Sequence, residues 1–423
     1  MTYKTYKNKS FIADRLSGIC GHSNVATDQQ EMFHLGFSQA AKPEVIVRPG
    51  RVEEIREIVS FAMDSSTSII PIGGGTQIRQ ALTESQAGIG LCMDRFDRIH
   101  EFEVGNLSIT AEAGTLNSTI QKTANAENLQ LAVNADVNTS TIGGEVATNF
   151  SSLKRYKYGA IRDYVLGLTF ISPTGKFVKT GGKTVKNTSG YDFTKLLSGS
   201  WGTMGILYSI TLKLNPLPEK EIMMVRNFSA ADDAIEEGMQ IISKKSGISS
   251  CNIFKDTERE DSSLTMALSL EGSTEFIDAQ IKHLNLPSSW KIMTDQPALL
   301  SVRTSLLKTR KEMKREYFNT VIIDKRAIPL STNSLQFLIQ QGCLFDFDIA
   351  AGVLEFSVPG NSEASANPFW KQWSSVMEGL HGKAISFLPN GSSSPLLGRL
   401  LPTIDPHKIM FRNNIFSRRY HLG

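Results

Sequence analysis

Ile69-Ile70-Pro71-Ile72-Gly73-Gly74-Gly75-Thr76 is the stretch on which the fold of this chain turns. An apolar strand runs straight into three residues without side chains, then a hydroxyl. Later, Ser140-Thr141-Ile142-Gly143-Gly144-Glu145-Val146-Ala147-Thr148-Asn149 repeats the arrangement and leads into a helix. A backbone stripped of Cβ atoms after a strand can turn its N–H groups toward a phosphate. A third glycine-rich segment, Gly199-Ser200-Trp201-Gly202-Thr203-Met204-Gly205, follows in order. Three such segments imply one long phosphate-bearing ligand touched at several places, a dinucleotide.

The spacing excludes one way of holding it. A Rossmann site needs Gly-x-Gly-x-x-Gly between a strand and a helix, with an acidic residue about 20 positions on. Gly73-Gly74-Gly75-Thr76 lacks that spacing, and Gly88-Ile89-Gly90 precedes a strand. Around the triplet the pattern is regular. Val45-Ile46-Val47 reads as a strand. Val52 to Met63 places Val52, Ile55, Ile58, Val59 and Ala62 at helical spacing, and Ile89 to Met93 reads as another strand. Ile99–Val104 and Leu107–Ala113 form a hairpin about Gly105-Asn106, and Val165–Ile171 with Phe177–Thr180 forms a second. Thr115 is the expected cap of a helix reaching Asn125. Pro216-Leu217-Pro218 marks a domain boundary. Beyond it the order β-α-β, β-α over residues 221–284 predicts an α+β layer. Asn390 to Ser394 reads as a polar breaker before a short closing helix, Pro395 to Leu401.

From Pro43 to Pro218 the landmarks stand in a recognisable order. They are Gly73-Gly74-Gly75-Thr76, Asp136 with Thr141-Ile142-Gly143-Gly144, and Tyr158-Gly159-x-x-Arg162-Asp163-x-Val165-Leu166-Gly167. Lys186-Asn187-Thr188-Ser189-Gly190-Tyr191-Asp192 and the segment Gly199 to Gly205 complete the set. This region resembles the FAD-binding domain of the vanillyl-alcohol oxidase/p-cresol methylhydroxylase superfamily. It is most similar to the flavoprotein subunits of glycolate oxidases, especially the smaller FAD-binding one. The resemblance implies an α+β fold: an extension over 1–40, a two-subdomain FAD-binding domain over 41–218, and a smaller α+β cap over 219–423. It implies cofactor contacts from Ile72, Gly73, Gly74, Gly75, Thr76, Gln77, Asp136, Ser140, Thr141, Gly143, Gly144, Asn149, Gly205 and Ile206. The glycine triplet would wrap the FAD pyrophosphate where any Cβ would push the anion away. The second glycine pair would form the opposite wall at the positive end of a helix. Positions 69 to 80 contain no His or Cys, so the flavin is expected to be held non-covalently.

Oxidising a 2-hydroxy acid needs a cation for the carboxylate and a proton acceptor for the hydroxyl. Leu299-Leu300-Ser301-Val302-Arg303 is similar to the family's arginine segment. Arg303 is therefore either the carboxylate clamp or an arginine on a helix face. The family's histidine-rich motif is absent, since His283, His381, His407 and His421 are isolated. Lys186 and Asp192 are polar groups near the cofactor segments, and Asp192 reads equally well as the cap of a helix at Phe193–Leu197. The implied function is an FAD-binding subunit of a glycolate oxidase-like complex acting on glycolate or D-lactate. Its implied partners are a larger catalytic flavoprotein subunit and an iron–sulfur subunit. The alternatives are a self-contained FAD-dependent 2-hydroxy-acid dehydrogenase and a non-catalytic scaffold that has lost the flavin.

Composition narrows the field further. The 423 residues are 40% hydrophobic and 21% charged, with a net formal charge of +3 and no basic stripe with interleaved aromatics, so nucleic acid is not the expected partner. Cys20, Cys92, Cys251 and Cys343 form no C-x-x-C, which predicts buried thiols and no iron–sulfur or zinc site on this chain. The polar start and the lack of an apolar run of roughly 18 residues predict a cytoplasmic location, with membrane contact only through partners.

Overall fold

The computed structural model describes residues 9–37, 41–78, 85–133, 138–182, 193–255, 263–313, 317–323, 332–358, 372–373, 375–376, 384–387 and 403–410. The chain divides into two compact units. The first holds the described residues of Met1–Ser152, Ala160–Leu217 and Asn390–Arg418; the second holds those of Leu153–Gly159 and Pro218–Pro389. Two segments thus pack away from their neighbours in sequence. Leu153–Gly159 joins the second unit, and the described residues near the C-terminus, 403–410, join the first.

In the first unit, β1 (Val25–Ala26), β2 (Ala41–Val47), β3 (Ile69–Ile72) and β4 (Ser85–Cys92) form a sheet in the order β1-β2-β4-β3. The three longer strands run parallel, with Ile46 opposite Gly90 and Ile72 opposite Cys92. The crossover helix Val52–Ser65 buries Ile55, Ile58, Val59 and Ala62, the i, i+3, i+4, i+7 stripe that its sequence carries. It stops where Ser66 turns left-handed at φ 52°. Beyond β3 the chain returns at its other end. The Ile69 N–H donates to Ile409 O at 2.6 Å, and the buried Asp405 carboxylate accepts from the N–H groups of Ile409 and Met410.

A second sheet holds β5 (Ile99–Glu103), β6 (Ser108–Glu112), β8 (Val165–Ile171), β9 (Phe177–Gly181) and β10 (Ile206–Lys213), in the order β5-β6-β10-β8-β9. A small pair joins β7 (Leu129–Gln130) to β11 (Asn215–Pro216). The first hairpin turns through the 3-10 segment Val104–Asn106, with Leu107 left-handed at φ 50°. Thr115 does not cap the next helix. That helix runs Asn117–Asn125 from Leu116, and the buried Thr115 hydroxyl points to Arg98 O instead.

The second unit is one eight-stranded antiparallel sheet. Its strands are β12 (Lys220–Phe228), β13 (Ile248–Lys255), β14 (Leu264–Gly272), β15 (Lys291–Met293), β16 (Tyr317–Ile323), β17 (Phe345–Asp348), β18 (Val353–Val358) and β19 (Ala384–Phe387), in the order β15-β12-β14-β13-β17-β18-β16-β19. Alternation along the strands splits its faces. Ile222, Met224, Ile253, Leu268, Phe347 and Phe356 share one core cluster with Ile235 of helix Ala231–Ser243 and Ile277 of helix Thr274–Leu284. Each such fully buried side chain contributes about 1.5–3 kcal/mol. Phe254, Ala267 and Met223 pack instead with Leu153 and with Leu299 and Leu306 of helix Gln296–Met313.

Candidate functional site

β3 and the helix Ile142–Thr148 bring the first two glycine segments together in the first unit. A cleft of about 920 Å³, including its open mouth, is lined by Ile72, Gly73, Gly74, Gly75, Thr76, Gln77, Thr141, Gly143, Gly144 and Gly205, with Met93, Ala113, Ala147, Trp201 and Leu207 supplying apolar surface. The two walls differ in one respect that decides what each can do. Among the described residues, none of the N–H groups of Gly73 through Gln77 donates to another protein group. Five consecutive donors without a partner among the described residues, at the rim of a cleft, form a site for an anion rich in acceptors.

On the opposite wall every first-turn donor is already used. Ile142 N–H donates to Thr115 O at 2.9 Å, Gly143 N–H to Ala113 O at 2.8 Å, and Glu145 N–H to Thr141 O at 3.0 Å. Gly144 N–H donates to the Thr141 hydroxyl at 3.3 Å, which makes Thr141 the helix cap. The expectation that this helix start would grip phosphate is therefore corrected: the Ile142 and Gly143 donors hold the wall to Thr115 and Ala113, and those of Gly144 and Glu145 close on Thr141. The contribution of the helix start is shape. A Cβ on Gly143 would stand 2.7 Å from Ala113 Cβ and from Ala113 O.

The reason for the glycine triplet is corrected in the same way. A Cβ on Gly73 would run into the Thr141 hydroxyl, and one on Gly74 into the Thr139 carbonyl. Gly75, at φ +73°, would meet the Leu35 carbonyl. Gly74 and Gly75 thus lie against two other backbone segments, and Gly73 against the side chain of Thr141. Gly205 adopts φ +148°, and its Cβ would stand 2.8 Å from Ile171 O. The third glycine segment is bound to the helix through Trp201 N–H to Ala147 O at 2.8 Å and Gly199 N–H to Val146 O at 3.0 Å.

Three of the other residues expected at the cofactor are not on the cleft wall. The Ser140 hydroxyl donates to Glu145 Oε1 at 2.8 Å, and Asn117 Nδ2 donates to Glu145 Oε2 at 2.7 Å. Asn149 ends the helix at φ 52°, and its Oδ1 accepts from Arg162 N–H at 3.4 Å. Ile206 is fully buried in β10. Asp136, Lys186, Asp192 and the expected breaker and helix over 390–401 lie outside the described residues.

Arg303 sits on helix Gln296–Met313 in the second unit, where its Nη2 donates to Glu221 Oε1 at 2.6 Å. The same carboxylate oxygen takes Lys154 Nζ at 3.1 Å. Lys154 also pairs with Glu271, and Lys157 Nζ stands 3.4 Å from the other oxygen of Glu271. Burial would raise the Glu271 carboxyl. The Lys154 charge, hydrogen bonds from Lys154 and Tyr158, and the Lys157 charge outweigh it and hold this fully buried group below the usual carboxylate range. Sequence reasoning missed this network because its bonded partners lie up to 117 positions apart.

Among the described residues no His or Cys lines the cleft. All four cysteines are buried thiols, and burial pushes Cys20 and Cys92 up to about 12. His283 is exposed, with its Nε2 2.9 Å from Lys244 O, and His100 lies 3.5 Å from Glu112 on β6. Among the described residues no group of three or more His, Cys, Asp or Glu could hold a metal, and no helix is long and apolar enough to cross a membrane.

Comparison with known proteins places this geometry. The sequence profile of a family described as "FAD binding domain" matches residues 43–181. Over 204 residues the chain is 30% identical to glycolate oxidase subunit GlcD of Bacillus subtilis, covering 48% of this chain and 43% of that protein. It is 30% identical to a D-lactate dehydrogenase of Anaerostipes hadrus, covering 46% of this chain and 41% of that one. It is 35% identical to alkyldihydroxyacetonephosphate synthase of Caenorhabditis elegans over 47% of this chain and 34% of that one. The match spans less than half the length of each of these relatives. Among solved structures, 4-ethylphenol oxidase from Gulosibacter chungangensis superposes with a TM-score of 0.73 at 13% identity, covering 98% of both chains. An alkyldihydroxyacetonephosphate synthase superposes at 0.72 and 17% identity, covering 99% of this chain and 86% of that one. Residues 43–181 match an FAD binding domain, FAD is the cofactor, and the solved structures share the α+β fold of this chain.

Proposed function

We propose that this chain is an FAD-dependent oxidoreductase acting on a 2-hydroxy acid of the glycolate or D-lactate kind. The observation that carries the cofactor site is the row of N–H groups from Gly73 to Gln77, at the rim of an apolar cleft, that have no partner among the described residues. These amides hold the pyrophosphate, and Met93, Ala113, Ala147 and Leu207 shield the cleft from water. No covalent link is formed. Bound FAD supplies the two-electron acceptor for a CH–OH oxidation.

The finer reading is a flavin-carrying subunit of a glycolate oxidase-like complex, completed by a larger catalytic flavoprotein and an iron–sulfur subunit. Support comes from the relative named as a glycolate oxidase subunit and from the state of Arg303. Its guanidinium is engaged by Glu221, so a substrate carboxylate must displace that carboxylate to be clamped there. The second reading is a self-contained dehydrogenase, favoured by the D-lactate dehydrogenase relative. Anaerobic mixing of the flavin-loaded chain with glycolate or D-lactate separates them. The subunit reading expects the flavin band to persist until the larger flavoprotein is added. Rapid bleaching of the isolated chain favours the self-contained enzyme.

A further inference from the structure

Upstream of the matched domain, residues 28–37 form a short helix with a built stop. Asp28 caps helix Gln29–His34 by accepting from Gln30 and Glu31 N–H. At the other end Phe37 N–H donates to Met32 O and Gly36 N–H to Phe33 O, with Gly36 at φ +87°. This is the paired closure in which a left-handed glycine ends a helix and the residues on either side pack together. Met32 and Phe37 are buried in one apolar cluster with Ile70 and Ile72, the strand residues that lead into the glycine loop.

The contact with the loop is backbone against backbone. A Cβ on Gly36 would stand 2.6 Å from Gly75 O, and a Cβ on Gly75 would run into Leu35 O. Each glycine leaves room for the other's peptide unit, and no side chain lies between them. The Glu31 carboxylate pairs with Arg48 just after β2, which ties the short helix to the same sheet. Gly75 lies in the middle of the five amides that have no partner among the described residues.

From this reciprocal contact we infer that residues 28–37 are part of the FAD cradle, and that Gly36 is a positioning residue for the amides of Gly73 to Gln77. The inference rests on FAD being held by that loop. A methyl group at position 36 must push the Gly75 carbonyl or the Leu35 turn by several tenths of an ångström, and the neighbouring amides turn with it. Gly21 supplies the control. It has an equally left-handed φ of +85°, but a Cβ there meets nothing closer than Asn24 Nδ2 at 3.8 Å.

The experiment titrates the full-length apo-protein with FAD by flavin fluorescence, and measures thermal midpoints with and without FAD, for wild type, Gly36→Ala and Gly21→Ala. Wild type that takes up no FAD refutes the cofactor site itself. With wild type binding, Gly36→Ala should weaken FAD at least tenfold and lose most of the FAD-dependent rise in midpoint. Gly21→Ala should stay within threefold. Equal losses in both variants, or none in Gly36→Ala, overturn the inference. A purely structural role would lower the apo midpoint and leave the FAD-dependent rise intact. Hydrogen exchange on wild type gives a readout that needs no variant to fold. FAD should slow exchange in peptides covering 28–37 together with those covering 70–78, and protection confined to 70–78 would contradict the brace.

Discussion

Gly74→Ala is the substitution on which sequence and structure give the same outcome for different reasons. The sequence reading puts the new methyl in the space of the pyrophosphate. The structure instead points it at Thr139, where it would stand 2.7 Å from the carbonyl carbon and closer still to the oxygen. Carbon–carbon contacts sit at about 3.5–4.0 Å, so one of the two backbones must retreat by roughly 1 Å. A displacement of that size in a row of amides costs one or two hydrogen bonds to a charged group, each about 1.5–3 kcal/mol. Taking about 3 kcal/mol, the Kd for FAD rises roughly 100-fold. The assay is fluorescence titration of apo-protein at fixed ionic strength. Gly18→Ala is the comparison, because its Cβ meets nothing within 4 Å and it lies inside the helix Lys9–Cys20, off the cleft wall. There the change from glycine stabilises the helix by up to about 1 kcal/mol, with FAD affinity within a few-fold of wild type. A Gly74→Ala protein that binds FAD within threefold of wild type would refute the reasoning.

Two further outcomes concern the second unit. Lys154→Met leaves the buried Glu271 with Lys157 at 3.4 Å and Tyr158 as compensation. Removing one partner of a buried pair costs about 3–5 kcal/mol. At the lower end, and at about 2–4 °C per kcal/mol for a unit of this size, the midpoint in scanning calorimetry should fall by roughly 6–12 °C; a fall under 2 °C would count against the network. Because the folded Glu271 carboxyl lies below its ordinary value, its contribution is fully present above about pH 4.3 and is lost as pH falls through the folded value. The thermal midpoint should therefore drop on acidification below that point, and Glu271→Gln should flatten this part of the profile; an unchanged slope in the variant would assign the acid loss elsewhere.

Much of the fold was legible because period-2 and period-3.6 apolar patterns occupy contiguous stretches. The crossover helix Val52–Ser65 and the strands β12 to β14 follow directly from them. Residues 285–380 were not legible, since β16 pairs with β18 and β19, and β17 with β13, strands distant in sequence that leave little local mark. At the site, residue types marked the loop but not the fate of its hydrogen bonds. Nothing in Thr141-Ile142-Gly143-Gly144 discloses that Ala113 and Thr115 already accept its donors. Nor does Gly36 announce itself, because its role exists only in the approach of Gly75, 39 positions later. The Lys154-Glu271 pairing was hidden because Leu153–Gly159 leaves its neighbours in sequence to join the second unit.

A crystal structure of the full chain with FAD tests the central claim most directly. The pyrophosphate oxygens should lie about 2.7–3.2 Å from backbone nitrogens between Gly73 and Gln77. The N–H groups of Ile142 to Glu145 should keep their bonds to Thr115, Ala113 and Thr141. A pyrophosphate held by residues 142–145 with that cap undone, or one bound away from the glycine triplet, would contradict the account.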